Sequence, residues 1–439
     1  MLWSNHIHAA EYYVSSERGR LDSSGKDIGD GSKQHPWRTI GVATQFMGGD
    51  DTLYVESGTY REGLIKLANL KKEVAIQPDG KRIAVSHWLT IKPAPGPEQN
   101  VHILGNLELS GSFIRLIGLD IQGGGVGSRG VFRPGIHADQ FHHLVVAGCR
   151  IHGCGGDGIQ ISNCDFVLIM NNRIWQNGLR CPVPANGISI SQPAEFDPRE
   201  EDYFGFEIRD NHIFENRCQT PDTNGQFSSG SGIDLRDFVH RPLEQSDVVK
   251  WLEEWSPGSS IKHLPTYHRI TLIENNLCYR NAGSGIHGDV ACHVKIKNNT
   301  CVGNHGPLNT HGQISLISCF GCQVNNCISY TTEPKSWGFV ERGSRGVSSD
   351  REMRNYWSNN LTWSKHLLEE RLWWGVGVDE DLELADPQFQ SITANNFKLG
   401  NGSPAIDAGL AWTDFRDYDM ARKPRGSLGD GTVDLGALE

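Results

Sequence analysis

HRITLIENNLCYRNAGSGIHGDV, residues 268–290, contains one full unit of a repeat. An apolar and polar alternation runs into Asn-Asn, a short apolar step follows, then a turn, then Gly-Ile and further alternating positions. Alternation with period two over four to six residues is the pattern of a strand with one buried face, and helical spacing is missing through this region. The same order recurs in SFIRLIGLDIQ…PGIHADQ, HHLVVAGCRIHGCGGDGIQIS, DFVLIMNNRIWQNG…NGISIS, FGFEIRDNHIFEN…GSGIDLRDF and CHVKIKNNTCVGNHG…GQISLI. A period of this length marks a solenoid, in which each unit buries its apolar face only by stacking on its neighbours. Asparagine at a repeated place, Asn172, Asn211, Asn276, Asn299 and Asn326, predicts an amide ladder at a turn, because asparagine tolerates left-handed backbone angles and hydrogen-bonds its own kind.

These Gly-Ile coils with asparagine ladders, over roughly residues 100–330, resemble the right-handed parallel β-helix of the pectin-lyase-like superfamily, whose exported members include polysaccharide lyases and glycoside hydrolases. The opening EYYVSSERGRLDSSGKDIGDG and the tail DPQF…NNFKLGNGSPAIDAG are similar to the same proteins. The resemblance implies an all-β chain, a carbohydrate substrate and a secreted or periplasmic setting. Residues 1–10 read as a trimmed signal remnant or an expression scar, and 11–100 as an entry and capping region. Residues 101–330 read as central coils with insertions, and 331–439 as C-terminal coils and tail. PWRTIGVATQFMGG predicts an N-terminal capping helix, with Pro36 near its start and Gly48 at its end.

Bulk properties narrow the partners. Across 439 residues the net charge is −11, which argues against a nucleic-acid footprint and against docking on anionic lipid. No run of 18 or more apolar residues exists to insert in a membrane. The eleven cysteines show no zinc-ligand spacing and read mostly as small buried hydrophobes, with Cys181 and Cys218 as the one pair placed for a disulfide.

In the strand after each Gly, isoleucine points inward and the next residue outward. Aligned coils therefore expose a stripe: His137 and Asp139, Gln160 and Ser162, Ser189 and Ser191, Asp234 and Arg236, His287 and Asp289, then Ser315. Coils lie about 4.8 Å apart, which separates His137 from His287 by about 19 Å but brings Asp234 beside His287 and Arg236 beside Asp289. The intervals between successive first positions are 23, 29, 45, 53 and 28 residues, so the long insertions flank Asp234. One insertion carries Trp251 and Trp255, four apart, suited to a groove wall that meets a sugar ring.

Asp234, Arg236, His287 and Asp289 are thus the expected catalytic cluster, with His137, Asp139, Gln160, Ser189, Trp251 and Trp255 as substrate contacts. Two chemistries fit. In β-elimination from a uronic acid, Arg236 neutralises the carboxylate, His287 is the base, and Asp234, Asp237 and Asp289 hold Ca²⁺ or orient. In inverting hydrolysis, Asp234 and Asp289 stand roughly 8 Å apart across one coil and two residues, within the range that admits a water. The lyase is the first expectation and the hydrolase the second; a non-catalytic glycan-binding or adhesin solenoid is the third. Asp157 in GGDGI reads as turn chemistry, and Lys295 and Lys297 as solvated charges.

Overall fold

The computed structural model describes residues 9–69, 74–76, 82–84, 87–97, 99–123, 132–178, 181–196, 204–218, 221, 230–238, 267–305, 312–334, 336–342, 354–366, 373–374, 382–410, 419–420 and 433–438. Strands in these residues form three long faces of a parallel β-helix. One face is an 11-stranded sheet that includes His142–Ala147, Asp165–Met170, Phe206–Arg209, Thr271–Glu274 and Val294–Lys297. The other two join in a 19-stranded sheet, because the long strand Val101–Ser110 pairs near its start with Asp120–Gln122 and near its end with Ile136–Asp139.

The register follows the repeat. Ile136, Ile159, Ile188, Ile233, Ile286 and Ile314 are Cα partners in turn, and all six are fully buried. Burying each such side chain contributes about 1.5–3 kcal/mol. The glycine before the isoleucine is required by close approach: a Cβ on Gly187 would lie 2.7 Å from Gly232 O, and one on Gly232 2.6 Å from Gly285 O.

The Asn-Asn dipeptide divides two tasks. Its first residue, Asn171, Asn275 or Asn298, sits at positive φ between 52° and 58°, and Asp210 takes the same place. Its second residue forms the ladder. Asn172 accepts from Cys149 N at 2.8 Å, Asn211 from Asn172 Nδ2 at 3.0 Å, Asn276 from Asn211 Nδ2 at 2.9 Å and Asn299 from Asn276 Nδ2 at 3.1 Å. Asn326 is not a rung, contrary to expectation. It occupies the preceding left-handed position at φ 54°, Cys327 holds the rung, and Asn326 binds the tail through Leu410. A second ladder five residues on was not anticipated: Asn177, Asn216, Asn281 and Asn304 repeat the same bonds and end on Gln313 Oε1 at 2.9 Å.

The helix near the start is a single turn, Ile40–Ala43, and not the long cap the sequence implied. Gly41 and β-branched Ile40 and Val42 weaken its propensity. Thr39 caps it, and the Glu62 carboxylate takes the Ile40 and Gly41 N–H groups. Trp37, Ile40, Ala43 and Met47 are buried in the core. At the other end, Phe389 and Phe397 fold back on Leu277, Tyr279 and Tyr330. Among the described residues no helix is long and apolar enough to cross a membrane.

Candidate active-site stripe

The polar stripe forms as aligned. His137 pairs with Gln160, Gln160 with Ser189, Ser189 with Asp234, Asp234 with His287, and His287 with Ser315. In the parallel row Asp139 pairs with Ser162, Ser162 with Ser191, Ser191 with Arg236, and Arg236 with Asp289. The row of Cα partners extends further than the repeat indicated, with Glu108 before His137 and the buried Val340 after Ser315.

Exposure along it is uneven. His137, Gln160 and Ser189 are half-buried and Asp139 is exposed, with Asn163 Nδ2 donating to Asp139 at 2.9 Å. At the centre Asp234 is 1% and His287 5% exposed, although both point away from the solenoid core. Trp251 and Trp255 lie outside the described residues, as does most of the insertion that carries them. That insertion returns at Tyr267, whose hydroxyl donates to the fully buried Asp165 at 2.5 Å, while Arg269 pairs with the same carboxylate at 3.0 Å.

Arg236 is clamped to Asp234. Its Nε donates at 2.6 Å and a terminal nitrogen at 3.4 Å, one to each carboxylate oxygen. Burial works against the guanidinium charge, but Asp234, then Asp289 and Asp157, raise its pKa. His287 goes the other way: burial first and Arg236 second push it down to about 3, so its imidazole is neutral near neutral pH. A neutral imidazole is the form that accepts a proton, and the lowered pKa makes it a weak base.

Asp157 is the functional candidate that sequence reading assigned to a turn. It is partly buried, and its Oδ1 accepts from the backbone N of Asn186 at 2.5 Å. Burial raises its pKa, the Asn186 bond and Arg236 lower it, and Asp234 raises it; the outcome is about 7. The side chain of the same Asn186 donates to Asp234 Oδ2 at 3.3 Å. One asparagine thus spans the two carboxyl groups and holds them less than roughly 10 Å apart, two hydrogen bonds plus one side chain. The signal was in the repeat: two residues before the inward isoleucines stand Asp157, Asn186, Ser231 and Ser284, a second polar column beside the stripe.

Asp237 occupies a left-handed turn position at φ 56°, in line with Gln140, Asn163 and Gln192 after the preceding strands, and its N–H donates to Asp289 O at 3.1 Å. Among the described residues, no three His, Cys, Asp or Glu side chains gather closely enough to hold a metal ion. Cys181 and Cys218 share a small buried cluster but are both free thiols. Lys297 is 3% exposed, in register with buried Glu274, and is therefore not a solvated charge as its place in the strand suggested.

The chain has a right-handed parallel β-helix fold. A model of the right handed beta helix region matches residues 101–239. Among solved structures, pectate lyase Pel9A is 16% identical, with a TM-score of 0.53 over 99% of this chain and 97% of that one. A rhamnogalacturonan lyase is 14% identical with a TM-score of 0.41 over 98% and 97%. The GH136 lacto-N-biosidase from Eubacterium ramulus is 12% identical with a TM-score of 0.47 over 86% and 68%. At these identities the likeness is one of fold. No curated protein matches the sequence.

Proposed function

We propose that this protein is a carbohydrate-active enzyme that hydrolyses a polysaccharide laid along the stripe, with Asp157 as the general acid and Asp234 as the base. The observation that carries this is the pairing of an acid held at about pKa 7 with an arginine-bound carboxylate, joined through Asn186. Two carboxyl groups driven to opposite protonation states by their surroundings are what glycosidic hydrolysis requires. Arg236 favours the ionised form of Asp234 by its charge. A carboxylate as enclosed as Asp234 suits water rather than a sugar carbon as its reaction partner, which favours inversion over a covalent intermediate.

The saccharide substrate is supported by the long polar stripe and by pectate lyase Pel9A, whose name gives a polysaccharide as its substrate. A polysaccharide is met outside the cytoplasm, so export remains part of this reading. His137, Asp139, Gln160 and Ser189 supply hydrogen-bonding subsites on the open end of the stripe. Elimination was the first expectation; hydrolysis is preferred to it here because burial makes His287 a weak base and Arg236 is already bound to Asp234. Hydrolysis by a carboxyl pair needs no metal ion.

The test is a panel of purified uronate-containing and neutral polysaccharides. New reducing ends without an ultraviolet-absorbing unsaturated product support hydrolysis. An unsaturated product would show elimination, and no turnover on any glycan that binds would show a binding solenoid.

A further inference from the structure

One short strand, Arg150–His152, away from the turn that holds Asp157, a cleft of about 630 Å³ opens at the corner where the first asparagine ladder runs. Its wall comes from Arg150, Asn171, Arg173 and His212 on successive coils, and from Asn395 on the C-terminal hairpin. A volume of this size is ordinary for a small-molecule site, which spans about 300–1,000 Å³. It is also a basic feature on a chain whose net charge is −11.

The charges do not cancel. Asp120, Arg150, Arg173 and His212 are consecutive Cα partners across neighbouring strands. Asp120 is taken by Arg150 at 2.8 Å and by His152 at 3.0 Å, and the buried Asp210 is taken by Arg209 at 3.2 Å. His212 carries no charge near neutrality, because burial and then Arg173 push it down to about 4. Arg173 is left over: among the described residues it makes no ion pair and no hydrogen bond. Its guanidinium is nevertheless positioned, 5.8 Å from the Trp175 ring and 5.7 Å from the Phe214 ring, which are themselves stacked within 4°. An arginine anchored by rings and carrying unused donors loses little freedom on binding a planar anion, and its fork matches a carboxylate.

We propose that this cleft is a second saccharide site, taking an acidic sugar unit whose carboxylate pairs with Arg173 while Asn171 and Asn395 bind hydroxyl groups. The ring faces of Trp175 and Phe214 are taken up in a stack that runs from His152 through both to Tyr279, so recognition here is by charge and hydrogen bonds and not by stacking. The site rests on the proposed function only in calling the ligand a sugar; its test reads binding alone.

The experiment is a titration of isotope-labelled full-length protein with galacturonate, glucose and inorganic sulfate, following the arginine Nε–H resonance that Arg173→Gln removes. Asp157→Asn is present throughout, so turnover plays no part. Galacturonate is expected to shift that resonance saturably and glucose to leave it in place. Arg173→Gln, with an unchanged melting temperature and followed through the side-chain amide resonances of Asn171 and Asn395, should weaken galacturonate binding roughly tenfold or more, the scale of a charged hydrogen bond; Arg173→Lys, which keeps the charge, should weaken it less, and wild-type affinity in Arg173→Gln would overturn the proposal. No shift with galacturonate, an equal shift with glucose, or a shift with sulfate alone would overturn the proposal.

Discussion

Replacing Asn276 by alanine removes the middle rung of the first ladder, and the cost can be worked from its bonds. Its Oδ1 accepts from Asn211 N at 3.1 Å and Nδ2 at 2.9 Å; its own Nδ2 donates to Ile208 O at 2.8 Å, Glu274 O at 3.1 Å and Asn299 Oδ1 at 3.1 Å. Asn211 Nδ2 keeps Ile169 O, Asn299 Oδ1 keeps the backbone N of residue 276 and Glu274 O keeps Asp210 N, so two groups, Asn211 N and Ile208 O, lose these bonds in a fully buried place. At about 1–3 kcal/mol for each orphan, the loss comes to about 2–6 kcal/mol, a large share of a typical total stability. Asn276→Asp keeps the shape but turns an anion toward three oxygens, and should cost no less. Urea unfolding followed by far-ultraviolet circular dichroism measures both, with exposed Thr393→Ala as the control. A loss below about 1 kcal/mol for Asn276→Ala would refute the view that the ladder, and not only the aliphatic stack, holds the coils in register.

Two further outcomes follow from buried groups. His287 is held at about 3 and His143 and His212 at about 4, all by burial first, so the folded chain refuses protons that the unfolded chain takes up below about 6.5. Stability from these groups is therefore complete above that pH and declines as pH falls toward 4; Asp157, held at about 7, opposes them with one proton. A melting temperature that stays level from pH 6.5 to 4 would contradict this. All eleven cysteines are free and buried, and burial pushes thiols such as Cys149 and Cys327 up to about 12. A thiol reagent should react with few of them in the native protein and with all eleven after denaturation without reductant; a shortfall of two would point to Cys181 and Cys218.

The repeat made the stripe legible because a parallel solenoid converts sequence position into space. Once Gly-Ile sets the inward residue, Asp234 must sit beside His287, and the observed register agrees. What the repeat could not convey was environment. His287 and Asp289 look alike as outward residues, yet the first is enclosed and the second half-exposed, which depends on what covers each coil. Asp157 escaped notice because its turn position invites a local explanation, and only the reach of Asn186 across two coils reveals its link to Asp234. The helix was over-read because Pro36 and Gly48 bracket a segment whose interior holds Gly41 and β-branched residues.

The most direct test of the proposed chemistry is the turnover of Asp157→Asn on the active polysaccharide, compared with wild type across pH. Asparagine preserves the acceptor for Asn186 N but has no proton to give. The account predicts a fall in kcat of about 10²–10⁴-fold with an unchanged melting temperature, and a wild-type alkaline limb near pH 7 that the variant lacks. Full activity in Asp157→Asn, with the wild-type pH profile intact, would contradict it.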